Sequence, residues 1–363
     1  MNEYQSQSQQ STHPGEILND MLEDFSLSQV GLSKRLGISE KHISNLINGK
    51  TSLTKEMSQK LSLVFGTSTD FWLNLQKNYD AISTRIDLEN QFIQEKDLLK
   101  EYSSYKQICD WGYSVYSKKP FEKYVNLLNF FGVAKLSLVP SNYEVAFRNV
   151  ATKSHLSSVA SWLRCGEIDF NKSSVSTEFN YVKFRDSLTF IRSLTRENPG
   201  KAFQELQRIC ADSGVTLVYT PYFKNTGLKG ATRWIQGRPL IQLSEMHKKA
   251  DAVWFSFFHE AAHIILMHSR KKDLIDWKDS IHLKDSLEKE ADEYARDLLI
   301  EPVAISTILK QPVLTNSDIE KYSRMLGVGT DIVAGRLMYE KKISPQQASL
   351  FARKIGISNS QSQ

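Results

Sequence analysis

The sequence predicts a multidomain chain, mainly α with a small β-sheet. Three observations carry that expectation. Residues 13–78 repeat apolar positions at helical spacing, with capping residues between the repeats. Residues 214–245 switch to short β-branched and aromatic runs bounded by Gly and Pro. Residues 255–268, FSFFHEAAHIILMH, read as a helix apolar nearly all round that nevertheless carries His259, Glu260 and His263. A chain of 363 residues has room for two or three domains. The expected divisions are 1–80, 81–212, 213–310 and 311–363.

The head comes first. Pro14 suits a first helical position, and Ile17, Leu18, Met21, Leu22 and Phe25 form one apolar stripe. A second helix is expected over Gln29–Leu36. Gly37 permits a tight turn, and Ser39 caps a third helix over Glu40–Ile47, closed by Asn48-Gly49. Small Ser33 lets the two helices approach, around a core of Leu32, Leu36, Ile38, Ile43 and Leu46. This is a helix-turn-helix. Helices over Lys55–Phe65 and Thr69–Asn78 complete a five-helix unit.

Charge within the head is asymmetric. Residues 1–33 hold five acids and no Lys or Arg, whereas residues 34–60 hold six bases and two acids. The basic side coincides with the third helix. Its lysines, with Lys50 beyond its end, are candidates for DNA phosphates, and Gln29 is placed for another phosphate. Ser39, Lys41, His42, Ser44 and Asn45 are candidates for base edges of double-stranded DNA. A solvated protein-interaction module is the competing reading. The segment resembles the phage-repressor-like (XRE-type) helix-turn-helix family, and more closely the HigA-type antitoxins. Residues 69–80, TDFWLNLQKNYD, match the F-W-L-N-L-Q run of that group. Within that run Phe71 and Trp72 are expected in the core.

Residues 81–113 keep a helical pattern through Ile82, Ile86, Phe92, Leu98, Leu99 and Ile108. One long helix or two should link head to body; as a dimerising coil its heptads are poor. Residues 119–212 read as a helical bundle, with Phe130, Phe131, Phe147 and Trp162 as core aromatics. Then 214–223, 229–237 and 239–245 read as three strands. Arg233 and Trp234 line a cleft or serve packing. Beyond Pro302, residues 315–344 repeat a helix-turn-helix pattern with few bases on its second helix, so it should pack rather than read DNA.

H-E-x-x-H puts His259 and His263 one turn apart on one helix face, where both can aim at one metal ion. Glu260 can reach a water on that ion and act as its base. A catalytic zinc site wants a third protein ligand. Downstream, Glu288 and Asp292 share a helix face, with Ser286 as the expected N-cap and Pro302 ending the helix after Leu299. Glu288 would bind the ion, and Asp292 would accept the second N–H of a ligand histidine. Glu290 and Glu293 compete for the ligand role. Glu290 is the stronger, but position 294, one turn on, is tyrosine.

HEAAH followed by EKEADEYARDLL resembles the ImmA/IrrE family of bacterial metallopeptidases. The resemblance implies Glu288 as third ligand, Zn2+ as cofactor (Mn2+ fits the same donors) and an α+β zincin-like domain over 213–310. It also implies a protein substrate of the repressor class. The family's L-L-M-P ending appears here as LLIEP, one residue longer, which touches the helix end and not the ligands. The whole pattern over 13–345 resembles bacterial regulators that fuse these two modules.

Composition narrows the classes. At 40% hydrophobic and 24% charged the chain is ordinary globular. A net charge of +5 is too small to indicate nucleic acid by itself. Cys109, Cys165 and Cys210 are scattered without C-x-x-C and read as reduced thiols that hold no metal. Gln/Ser-rich stretches at 5–12 and 358–363 should be frayed. No signal peptide and no apolar run near ~20 residues is present, so a bacterial cytoplasmic protein without a membrane partner is expected. Two functions follow. One is a DNA-bound regulator, expected as a homodimer, that carries a zinc endopeptidase acting on a regulatory protein. The other is a non-enzymatic antitoxin-type repressor, paired with a toxin, whose metal site is structural or sensory.

Overall fold

A computed structural model describes residues 12–143, 153–223, 228–244, 249–267 and 281–355. The polar stretches at 5–11 and 358–363, and Phe147 and His268, lie outside the described residues. The chain is mainly helical with one three-stranded sheet among the described residues. It divides into two compact units, Met1–Asp97 and Leu98–Gln363. The expected divisions at 212 and 310 both fall inside the second unit.

The first unit holds α1 (Pro14–Asp24), α2 (Gln29–Leu36), α3 (Glu40–Ile47), α4 (Lys55–Phe65) and α5 (Thr69–Glu95). Each start has a local cause. His13 Nδ1 accepts from Gly15 N while Glu16 accepts from His13 N, a reciprocal box ahead of Pro14. Ser28, Ser39, Thr54 and Ser68 cap the next four helices with their hydroxyls. Gly37 ends α2 in the left-handed region at φ 67°, which a Cβ would strain. Leu18, Leu32, Ile43, Leu46, Leu61 and Trp72 are fully buried at the centre. Trp72 Nε1 donates to Thr67 Oγ1 at 2.8 Å, so its polar atom is satisfied. Truncating Trp72 to Ala removes the largest of these side chains. The head should lose about 3–5 kcal/mol of stability, read as faster amide exchange across residues 18–72.

Two expectations are corrected here. Helix five does not end at Asn78 but runs unbroken to Glu95. No Gly or Pro interrupts Tyr79–Glu95, so nothing stops it. Phe71 is not core: it is 40% exposed, edge-on to Trp72 at 5.2 Å.

The second unit begins with α6 (Tyr105–Asp110), α7 (Pro120–Phe131), α8 (Val139–Asn142), α9 (Lys153–Lys172), α10 (Tyr181–Ser193) and α11 (Pro199–Asp212). Phe130, Phe131 and Trp162 are buried, as their composition suggested. The strands are β1 (Thr216–Thr220), β2 (Gly230–Ile235) and β3 (Arg238–Ser244), in order β1-β3-β2. β1 runs parallel to β3, with Thr216 opposite Leu240, and β2 runs antiparallel, with Thr232 opposite Ile241. The β2–β3 turn is Gln236-Gly237, both at positive φ, the two-residue hairpin that matches strand twist. β2 is therefore an edge.

Next come α12 (Ala250–Ile265), α13 (Ile281–Leu299), α14 (Pro302–Leu309), α15 (Asn316–Leu326), α16 (Thr330–Tyr339) and α17 (Pro345–Ser349). α12 lies against β2, β3 and α13 and is the centre of the core, with Trp254, Phe257, Phe258 and Ala261 buried. The α13 start is corrected. The helix begins at Ile281, so Ser286 is an interior residue and not the N-cap. No Gly or Pro precedes it to hold the start back. In the tail, Gly327 at φ 67° joins α15 to α16, and Ile332, Val333 and Leu337 turn inward against α12's core.

Candidate metal centre and helix-turn-helix face

On the head, α3 buries Ile43 and Leu46 and leaves its other face outward. Lys41, His42 and Lys50 are exposed, as is Gln29 at the start of α2; Ser44 and Asn45 are half-buried. Ser39 is exposed and its Oγ accepts from His42 N at 3.3 Å, so it caps the helix it begins. Asn48 Nδ2 donates to Ser44 O at 2.7 Å and to Ser44 Oγ at 3.3 Å. That ties Ser44 to the end of α3. The structure thus brings all seven candidate DNA residues to the α2–α3 end of the head. Among the described residues, the side chains of Lys41, His42, Asn45 and Lys50 make no hydrogen bond or ion pair.

The second unit builds the other site from two helices and a strand. His259 and His263 stand one turn apart on α12; Glu288 and Asp292 stand one turn apart on α13. His259 Nε2 lies 3.1 Å from Glu288 Oε2 and 3.2 Å from His263 Nε2. His263 Nε2 lies 3.7 Å from the same Glu288 oxygen. Ligands at roughly 2.0–2.1 Å in a tetrahedron stand about 3.3 Å apart, so the three atoms fit one ion. Among the described residues His259, His263 and Glu288 form the only such cluster of potential ligands. Glu290 and Glu293 are exposed and outside it. Asp292 Oδ1 is 2.8 Å from His259 Nδ1, which fixes that ring with Nε2 toward the centre. The His259 and His263 side chains are 16% and 13% exposed, against 47% for Glu288.

Burial pulls the His259 pKa down. The bond to Glu288 and the charges of Glu260, Glu288 and Asp292 outweigh it and lift the value to about 8. Hydrogen bonds from His259 and His263 hold Glu288 well below the carboxylate range. These are the proton equilibria that a bound ion has to displace.

Glu260 is 7% exposed, and burial raises its carboxyl above the ordinary value. Thr232 Oγ1 on β2 reaches Glu260 Oε2 at 2.8 Å and the Glu260 carbonyl at 3.0 Å. Gly230 completes the pocket: a Cβ there would stand 2.6 Å from Glu260 Oε1. A side chain there would have to displace the buried Glu260 carboxylate. Sequence reasoning missed both residues. The signal was present in GATRW, a short run one strand ahead of the helix that carries His259 and His263. Arg233, next along β2, points elsewhere. It pairs with Glu167 at 2.7 Å and bonds Leu163 O and Gln242. Trp234 rests edge-on against Phe179 at 5.2 Å. Both serve packing.

A family model described as helix-turn-helix matches residues 18–72. The transcriptional regulator YddM of Escherichia coli K12, of HTH type, is 40% identical over 63 residues, which is 17% of this chain and 67% of that protein. Antitoxin HigA-1 of Vibrio cholerae serotype O1 is 33% identical over 87 residues, 24% of this chain and 78% of that protein. A solved HigA-family antidote protein from Coxiella burnetii is 34% identical, covering 23% of this chain and 94% of that chain, with a TM-score of 0.22. The similarity is thus to most of several small proteins and to under a quarter of this one. Through its head, the chain belongs to the XRE/HigA-type helix-turn-helix family of transcriptional regulators.

Proposed function

We propose that the protein is an operator-binding transcriptional regulator whose second unit is an ImmA/IrrE-like, zincin-like zinc endopeptidase. The observation that carries the enzymatic half is the buried Glu260 beside a three-ligand cluster. A purely structural ion has no need of such a carboxylate. The site belongs to the chain's own residues throughout. His259, His263 and Glu288 would hold the ion, which when bound supplies Lewis-acid polarisation of a carbonyl and acidifies water. Asp292 orients His259. Glu260, with its raised pKa, takes a proton from the attacking water and returns it to the leaving amine. Thr232 holds the Glu260 carboxylate still, and β2, an edge strand, offers an extended peptide its open side. Manganese suits the same donors. A regulatory protein is the substrate that fits a DNA-bound peptidase.

The second reading is a non-enzymatic antitoxin-type repressor with a structural or sensory metal, paired with a toxin. The HigA-1 similarity favours it. Glu260→Gln separates the two.

DNA binding is expected on the promoter of the protein's own gene, as a dimer on a two-fold site. In fluorescence anisotropy with the full chain, Lys50→Ala should weaken all sequences alike and reduce the log–log salt slope by about 0.9. Asn45→Ala should instead cost about 1–3 kcal/mol of discrimination and leave the salt slope unchanged. Equal, salt-insensitive binding by all three proteins would sink the assignment of this face.

A further inference from the structure

The second unit contains a groove that the metal centre does not use. It is a shallow, open groove of about 340 Å³, lined by three tyrosines, three lysines and two serines, with no carboxylate among them. The lysines are Lys106, Lys118 and Lys123. None has an acidic partner within ion-pair distance among the described residues; the neighbouring Glu122 is bonded to Ser117 and to Lys119 instead. Lys123 is half-buried. Its ammonium meets the Leu99 carbonyl at 3.2 Å and the Tyr105 ring, 5.3 Å from the centroid, with the Cys109 thiol near by and no carboxylate paired with it among the described residues. A half-buried cation without a counter-charge is costly. Burial lowers the Lys123 pKa in keeping with that cost. An anion in the groove removes it.

The aromatic wall adds shape. Tyr105 is fixed through its hydroxyl, which donates to Val115 O at 2.7 Å and accepts from Ser117 N at 3.0 Å and Asn126 Nδ2 at 3.2 Å. Tyr116 stacks on Tyr105 at 5.9 Å and 27° and is itself 51% exposed. A rigid ring therefore backs a second ring that still has surface to offer. A bare phosphate would need the lysines and not the stacked tyrosines; a neutral ring would need the reverse. The volume lies within the range of small-ligand sites, roughly 300–1,000 Å³.

We propose that this groove binds a nucleotide, with its base on Tyr116 and its phosphates against Lys106, Lys118 and Lys123. The site is independent of the peptidase reading, since it shares no residue with the metal centre.

The test is isothermal titration calorimetry on the full chain with four probes: ATP, AMP, adenosine and inorganic pyrophosphate. ATP should bind more tightly than either adenosine or pyrophosphate, because only it has both parts. Tyr116→Ala should weaken ATP by about tenfold, in line with the loss of one base–aromatic stack, while Tyr116→Phe should leave it unchanged. Lys106→Glu with Lys118→Glu should abolish ATP binding and so assign the heat to this groove rather than to the metal centre. These side chains are exposed, and circular dichroism checks that each variant is folded. The proposal is overturned if no probe binds, or if pyrophosphate matches ATP and ignores Tyr116→Ala. It also fails if the double charge reversal leaves ATP affinity intact, or if a single-stranded oligonucleotide outcompetes ATP at these residues.

Discussion

His263→Ala should reduce bound zinc from about one ion per chain to a trace in metal analysis of the purified protein. Three donor atoms converge within 4.8 Å of one another, and removing one leaves two, which cannot hold a divalent ion against a chelator. Glu288→Ala should do the same. Asp292→Ala should be milder, about 10–100-fold in affinity, because it removes the acceptor that orients His259 and not a ligand. Glu290→Ala should change nothing, since that carboxylate is exposed and outside the cluster. The reverse pattern, with Glu290 needed and Glu288 dispensable, would refute the ligand set. The pH dependence has a definite sign. A ligating histidine must be neutral, and His259 is lifted to about 8, so at pH 7 a proton has to leave as the ion enters. Affinity should therefore rise with pH up to about 8 and fall below it. Calorimetry in buffers of different ionisation enthalpy counts that proton.

The chain shows where sequence reading is strong. The ends of α2, α3 and α4 were legible to the residue because their signals are local: Ser39 and Gly37 act within one turn of where they sit. α5 was misjudged for the same reason, since its true end at Glu95 is marked by no breaker and the composition change near residue 80 is not one. The meeting of His259 and His263 was legible because spacing on a helix is itself geometry. What spacing could not give is what crosses the site from elsewhere. Thr232 and Gly230 lie 28 and 30 positions before Glu260 and meet it only because β2 is an edge antiparallel to β3. Strand order follows from long-range pairing, which no run of residues states. The same holds for Arg233, whose partner Glu167 is 66 positions away. The lysine–tyrosine groove is another instance: residues 102–123 carry no motif, and only the folded α6–α7 region makes them one surface.

Glu260→Gln should leave zinc content and DNA affinity as they are and stop peptide cleavage. Glutamine keeps the size of the side chain and can still bond Thr232 Oγ1, so the packing of β2 on α12 is preserved. None of the three ligand atoms is altered. What is lost is the carboxylate that takes the proton, and removing a positioned base typically costs about 10²–10⁴ in rate. The measurement belongs in cells, where the natural substrate is present. A candidate regulatory protein followed by immunoblot should disappear under the inducing stress in wild type and persist in the variant. Thr232→Val offers an intermediate, since it frees the carboxylate without removing it; cleavage should slow and zinc should stay. If the Glu260→Gln strain instead derepresses its targets as fully as wild type under every stress, Glu260 is not a base. The cluster is then structural or sensory, and the antitoxin-type repressor becomes the better account of a head that reads DNA and a second unit that reports on metal.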